Sequence, residues 1–121
     1  LEGEPKNSPI ATPFNFGPEA SARQPVRALV EEVLSVWPGE WTDGSDPKSV
    51  HEAMLLTLSI EKAGALLKWT PVWDFKGAVQ RSVQWYHQRH MKKNADMASY
   101  SRSQISDYVE SARQKKCLWT Q

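Results

Sequence analysis

The run from Ser59 to Tyr86 constrains this chain more than any other stretch, because a proline corner divides it between two helical patterns. Ser59 is suited to cap a helix, Glu61 places a negative charge in its first turn, and Lys62-Ala63 and Leu66-Leu67 continue it. Lys68-Trp69-Thr70-Pro71 must end it, since the residue before a proline is driven out of the α region. Asp74 is the next capping candidate. Phe75, Ala78, Val79, Val83 and Tyr86 then recur at helical spacing, which predicts a helix of three or more turns.

The flanking segments are less tightly specified. Residues 3–13 hold Gly3, Pro5, Pro9 and Pro13 and form a loop. Phe14-Asn15-Phe16 alternates apolar and polar before Gly17-Pro18, which predicts a short strand. Gln24-Pro25 opens a helix with Pro25 at its first position, and Val26, Leu29, Val30, Val33, Leu34 and Trp37 mark one face until Pro38-Gly39. Within the loop of residues 38–50, Glu40-Trp41-Thr42 is a second short strand. Met54 to Leu58 is apolar but too short for periodicity to separate strand from helix. Ser101-Arg102-Ser103-Gln104 has the capping-box pattern, followed by Ile105, Tyr108, Val109 and Ala112 on the stripe of a last helix. The expected class is helix-rich α/β, with two or three strands that have few partners in the chain. A sheet that small is marginal alone, which is what a truncated two-lobed α/β enzyme would show.

A chain of 121 residues suits one domain. Its net charge of +1 supplies no general field for nucleic acid or for a membrane surface, and no apolar run approaches a membrane span. The single cysteine, Cys117, excludes an internal disulfide framework and suits a reducing, cytoplasmic setting. Leu1-Glu2-Gly3-Glu4 lacks Met and the order of a signal peptide, so the expectation is a piece of something longer.

His51-Glu52 is the best ligand-contact candidate: a carboxylate can accept both hydroxyls of a ribose, and an imidazole can donate to a phosphate oxygen. Its bland counterpart is a solvated pair in a loop. Position 55 is Leu, so the pair is not the first half of a zinc-protease motif. Trp69 and Trp73, around the proline, are expected to lock a helix corner to the core, as are Trp37, Trp41 and Trp85. His87 and His90 could reach one metal, but no third ligand joins them, and two exposed histidines near a helix end are the better account. Cys117 beside Lys115 and Lys116 has no neighbouring base and reads as an incidental tail cysteine. The glycines never cluster into a phosphate-cradling turn, and no tyrosine has a lysine four residues on. Neither a nicotinamide cradle nor a Tyr-x-x-x-Lys proton shuttle is therefore present.

Several motifs in order resemble the carboxyl-terminal part of the CDP-glucose 4,6-dehydratases, in the extended short-chain dehydrogenase/reductase family. These are Asn15-Phe16-Gly17-Pro18, the helix from Val26 to Trp37, His51-Glu52-Ala53 with Leu55 to Leu58, Lys62-Ala63, Trp69-Thr70-Pro71-Val72-Trp73 and Val83-Gln84-Trp85-Tyr86. Asp96-Met97, Tyr100-Ser101, Gln104-Ile105 and Tyr108 resemble the family's tail, so the likeness covers about residues 14–110. The Trp-x-Pro and Trp-Tyr elements are common to many nucleotide-sugar epimerases and dehydratases; His-Glu-Ala, the second Trp and Gln-Ile narrow the likeness.

The resemblance implies a Rossmann domain that binds NAD, absent here, and a substrate-binding lobe to which residues 1–91 belong, with 92–121 as a helical tail. It further implies a homo-oligomeric, NAD-dependent lyase of CDP-glucose whose keto-deoxy product feeds bacterial surface polysaccharide. By position, Glu52 stands at the ribose contact and His51 near the pyrophosphate. Where many relatives keep an arginine this chain has Ser49, leaving Lys48 as a point charge for phosphate. Leu58-Ser59 replaces the usual Leu-Asp and still suits a cap. Two other readings stand beside it: the lobe of another nucleotide-sugar enzyme, and a stand-alone tryptophan-rich helical interaction module.

Overall fold

The structure is a computed structural model that describes residues 10–46 and 58–121. Four α-helices dominate: α1 (Val26–Val36), α2 (Glu61–Leu67), α3 (Phe75–Met91) and α4 (Met97–Gln114). Short 3-10 turns lie at Ala20–Ala22 and Leu118–Thr120. No strand occurs among the described residues, so the expected α/β class is corrected there to all-helical. Phe14-Asn15-Phe16 and Glu40-Trp41-Thr42 are irregular, and neither forms a ladder with another described segment. Met54 to Thr57 fall outside the described residues.

Helix α3 is central, packed by α1 and by α4. Against α4 the partners of Trp85, Arg81 and Trp73 are Ser101, Gln104 and Ser111 in turn, so the two helices run antiparallel. Against α1, Gln80 pairs with Glu32 while His87 and His90 meet Trp37, so those two run in the same direction. Among the described residues the buried hydrophobic ones are Ala63, Val72, Val83 and Ala112. Two are alanines with no exposed surface, which lets backbone and larger rings approach closely at those points.

The helix ends follow local chemistry. Asp74 caps α3 as expected, its Oδ1 accepting from the Gly77 amide at 2.8 Å. Gly77 suits that site because a Cβ there would stand 3.0 Å from the same oxygen and 3.4 Å from the Arg81 guanidinium. The expected capping box at Ser101 is not used. Helix α4 starts five residues earlier, where Asp96 accepts from the Ser99 amide at 3.0 Å and so ends the competition for the first turn. Ser101 instead bonds back to the Met97 carbonyl at 2.7 Å. Pro25 sits at the N-cap of α1 rather than in its first turn, and Ile60 rather than Ser59 precedes α2. Ser59 donates its hydroxyl to the Glu61 carboxylate instead.

Lys68 ends α2 in the left-handed region, φ 55°, and the Trp69 amide returns to the Ala63 carbonyl at 3.3 Å. That reversal starts the corner predicted from Thr70-Pro71. Asp74→Ala should cost about 1 kcal/mol of unfolding free energy in a denaturant melt, and Asp74→Asn only a few tenths, since an amide oxygen caps nearly as well.

Candidate functional site

The corner gathers rings from three separate parts of the chain. Phe16 meets Trp69 edge-on at 5.0 Å, with interplanar angle 86°. Trp73 meets Tyr108 of α4 in the same way, at 4.9 Å and 86°. Trp119 stacks on the other flank of Tyr108 at 5.9 Å. Val72, between the two indoles, is 1% exposed, and its carbonyl accepts from the Lys115 ammonium. Perpendicular ring pairs at these distances place the positive edge of one ring on the negative face of the other. With Phe75 they line an open, largely apolar pocket of about 380 Å³, whose one charged lining residue is the exposed Asp74.

Polar groups hold this assembly from outside. The Arg81 guanidinium lies 4.1 Å from the centre of the Trp73 ring and bonds the Gly77 carbonyl at 3.3 Å. Gln104 of α4 donates to the Arg81 carbonyl at 2.8 Å. Trp73 Nε1 reaches the Ser111 hydroxyl at a long 3.5 Å, and Trp85 Nε1 reaches Ser101 at 3.0 Å. Trp119 Nε1 is buried with no partner. Burial is the main influence on the Tyr108 phenol and pushes its pKa above 10.0, opposed by the backbone at Val72 and the side chain of Trp69.

A second, open apolar groove of about 490 Å³ lies between α1 and α3. Leu29, Val33 and Trp37 face Val79, Val83 and Tyr86 across it. Trp37 closes its end against both His87, at 5.1 Å, and His90, at 5.0 Å. The two histidines are thus ring partners of an indole, with His87 half-buried. Trp41 is 40% exposed and approached by Arg27 rather than locked into the core, a correction to the expectation for that residue. Cys117 is a free, half-buried thiol.

The three residues expected to contact a sugar nucleotide, Lys48, His51 and Glu52, lie outside the described residues. The structure instead brings together Trp69 and Trp73, which the sequence marked as corner residues, with Phe16, Arg81, Gln104 and Tyr108. Tyr108 was legible as one member of an apolar stripe and of the motifs resembling the family's tail; its hydroxyl, on a face otherwise aliphatic, was the further signal.

Among the described residues no group of three or more His, Cys, Asp or Glu side chains could hold a metal ion. No described helix is long and apolar enough to cross a membrane. Gly64 and Gly77 lie inside α2 and α3, and the N-termini of α3 and α4 already carry the carboxylates of Asp74 and Asp96, which would repel a pyrophosphate. No family model matches this chain, and neither a curated protein nor a solved structure gives a significant match.

Because the folded state holds the Tyr108 proton more tightly, the stability it contributes is whole below pH 10.0 and is lost as pH rises through the raised folded value. Ultraviolet difference absorbance should therefore show a late tyrosine phase above pH 10.0. Tyr108→Phe should remove that late phase and flatten the alkaline loss of stability.

Proposed function

We propose that this chain is the sugar-nucleotide-binding lobe, a carboxyl-terminal part, of an NAD-dependent CDP-glucose 4,6-dehydratase. The observation that carries the reading is that motifs far apart in sequence, on which the resemblance rests, meet in space. Phe16, of Asn15-Phe16-Gly17-Pro18, packs on Trp69, of Trp69-Thr70-Pro71-Val72-Trp73, across more than fifty residues. A Cβ on Gly17 would stand 3.7 Å from both Leu58 and Ile60, so the first motif also runs beside the end of the Leu-x-Leu segment.

On this reading Glu52 accepts the ribose hydroxyls of CDP-glucose, His51 donates to the pyrophosphate, and Lys48 adds a positive charge. The hydride chemistry belongs to NAD on an amino-terminal Rossmann domain; the described residues supply no cradle for it and no Tyr-x-x-x-Lys pair. The isolated chain is accordingly inactive, and the whole enzyme is a cytoplasmic homo-oligomer. A second reading, a tryptophan-rich interaction module, draws support from the α1–α3 groove, whose lining leaves Leu29 41% and Tyr86 63% exposed. A related sugar-nucleotide enzyme differs only in the base it prefers.

Isothermal titration with CDP, UDP and CDP-glucose separates these readings. The dehydratase lobe should bind CDP more tightly than UDP, and Glu52→Ala should abolish the difference. Equal binding of both bases would favour another nucleotide-sugar enzyme. No heat from a cooperatively folded chain, even with an amino-terminal dehydratase half added in trans, would overturn the nucleotide-sugar reading. Dehydration of CDP-glucose by the chain alone would overturn the division of labour.

A further inference from the structure

Beyond Lys115 the chain folds back on α4 through residues that are weakly held. Lys116 stands in the left-handed region at φ 55°, where an L side chain is disfavoured and glycine is the usual occupant. Its amide returns to the Arg113 carbonyl at 2.9 Å and the Cys117 amide to the Ala112 carbonyl at 3.0 Å, which closes the end of α4. The 3-10 turn Leu118–Thr120 follows, and its hydrogen bonds are internal. Thr120 meets the Cys117 carbonyl through its amide at 3.0 Å and its hydroxyl at 2.7 Å, and the Gln121 amide meets the Leu118 carbonyl at 3.3 Å. Leu118 is exposed, so the anchor of the turn is the Trp119 indole, stacked on Tyr108 at 5.9 Å. That anchor carries a cost, because the indole N–H is buried without an acceptor and would regain water on leaving. Trp73 holds Tyr108 edge-on from its other flank, and the bonds from Trp73 to Ser111 and from Gln104 to Arg81 join α3 to α4 without the turn. Detaching the turn leaves those contacts whole.

We propose that residues 117–121 form a strap that opens as one unit about Lys116, lifting Trp119 from Tyr108 and freeing the half-buried Cys117 thiol while α3 and α4 stay packed. Closure rests on a narrow balance: stacking and burial of the rings favour it, whereas the unpaired N–H and the left-handed lysine oppose it. A segment so balanced opens at a free energy well below that of global unfolding. Opening uncovers one face of Tyr108 beside the aromatic corner, so the strap controls access to that face. This device is independent of the nucleotide-sugar reading and involves none of Lys48, His51 and Glu52.

Cys117 is the chain's one cysteine, so its alkylation by iodoacetamide reports the strap. The test follows that rate along a urea series, each value divided by that of the same chain fully unfolded, while circular dichroism follows the helices. Labelling should stay flat in low urea, below the helical transition, and be faster than the helices' unfolding equilibrium allows. Replacing Trp119 by its sulfur isostere benzothienylalanine, introduced by ligation at Cys117, keeps the ring shape and removes the N–H. Labelling should then slow roughly fivefold or more, since closure no longer buries an unpaired donor. Lys116→Gly should slow it severalfold by relieving the left-handed strain. Trp119→Ala should quicken it severalfold and leave the helical melt in place. Labelling unaltered by the changes at position 119 would show direct access to a fixed thiol and overturn the proposal, as would an isostere that labels faster than Trp119. Labelling that rises only with helix unfolding, or loss of the helical fold in Trp119→Ala, would overturn it equally. Loss of CDP binding leaves these outcomes untouched.

Discussion

The rest of the structure depends on the turn from Lys68 to Asp74. A left-handed lysine stops α2, Pro71 prevents the helix from resuming, and Asp74 starts α3 in a new direction. In between, Val72 is pressed into the interior and its carbonyl is satisfied by Lys115, from the far end of α4. The corner thereby connects the beginning of α3 to the end of α4. Without it the two indoles that flank Pro71 would have no common surface on which to meet Phe16 and Tyr108.

The α3–α4 hairpin is held by polar atoms at the ends of apolar side chains. Each of the two indoles on α3's side finds a serine on α4, at 3.0 Å for Trp85 and 3.5 Å for Trp73. Ser101 serves both helices, accepting from the indole while donating to its own helix's Met97 carbonyl. This use of serine inside a helix costs little helical propensity and removes the penalty of burying an indole N–H. Trp119, whose Nε1 lacks any such partner, forgoes that compensation and is held by stacking on Tyr108.

Apolar burial is by contrast sparse. Among the described residues four small or medium side chains form the buried set, and the α1–α3 face remains an open apolar groove. Ring-on-ring and cation-on-ring contacts carry much of the cohesion: Phe16 with Trp69, Trp37 with His87 and His90, and Arg81 with Trp73. Such contacts contribute about 0.5–1.5 kcal/mol each beyond area burial, so several distributed ones can offset a thin core.

Helix positions were largely legible in the sequence, because caps, prolines and 3.6-residue stripes act through neighbours in the chain. Asp74 and Pro25 announce α3 and α1, and Thr70-Pro71 announces the break between α2 and α3. Where two local signals competed, only the three-dimensional arrangement chose: Asp96 caps α4, and Ser101, inside the helix, accepts from Trp85. Strand character at Phe14 to Phe16 was wrongly inferred, since a ladder needs a neighbour that alternation cannot supply. The nucleotide-contact candidates rested on motif order alone. The sequence by itself determined where helices begin, end and turn, through steric and capping rules that span four or five residues. Only the tertiary structure decided that Phe16, Trp69, Trp73 and Tyr108 should line one open pocket beside Asp74, because that meeting depends on contacts between segments more than ninety positions apart.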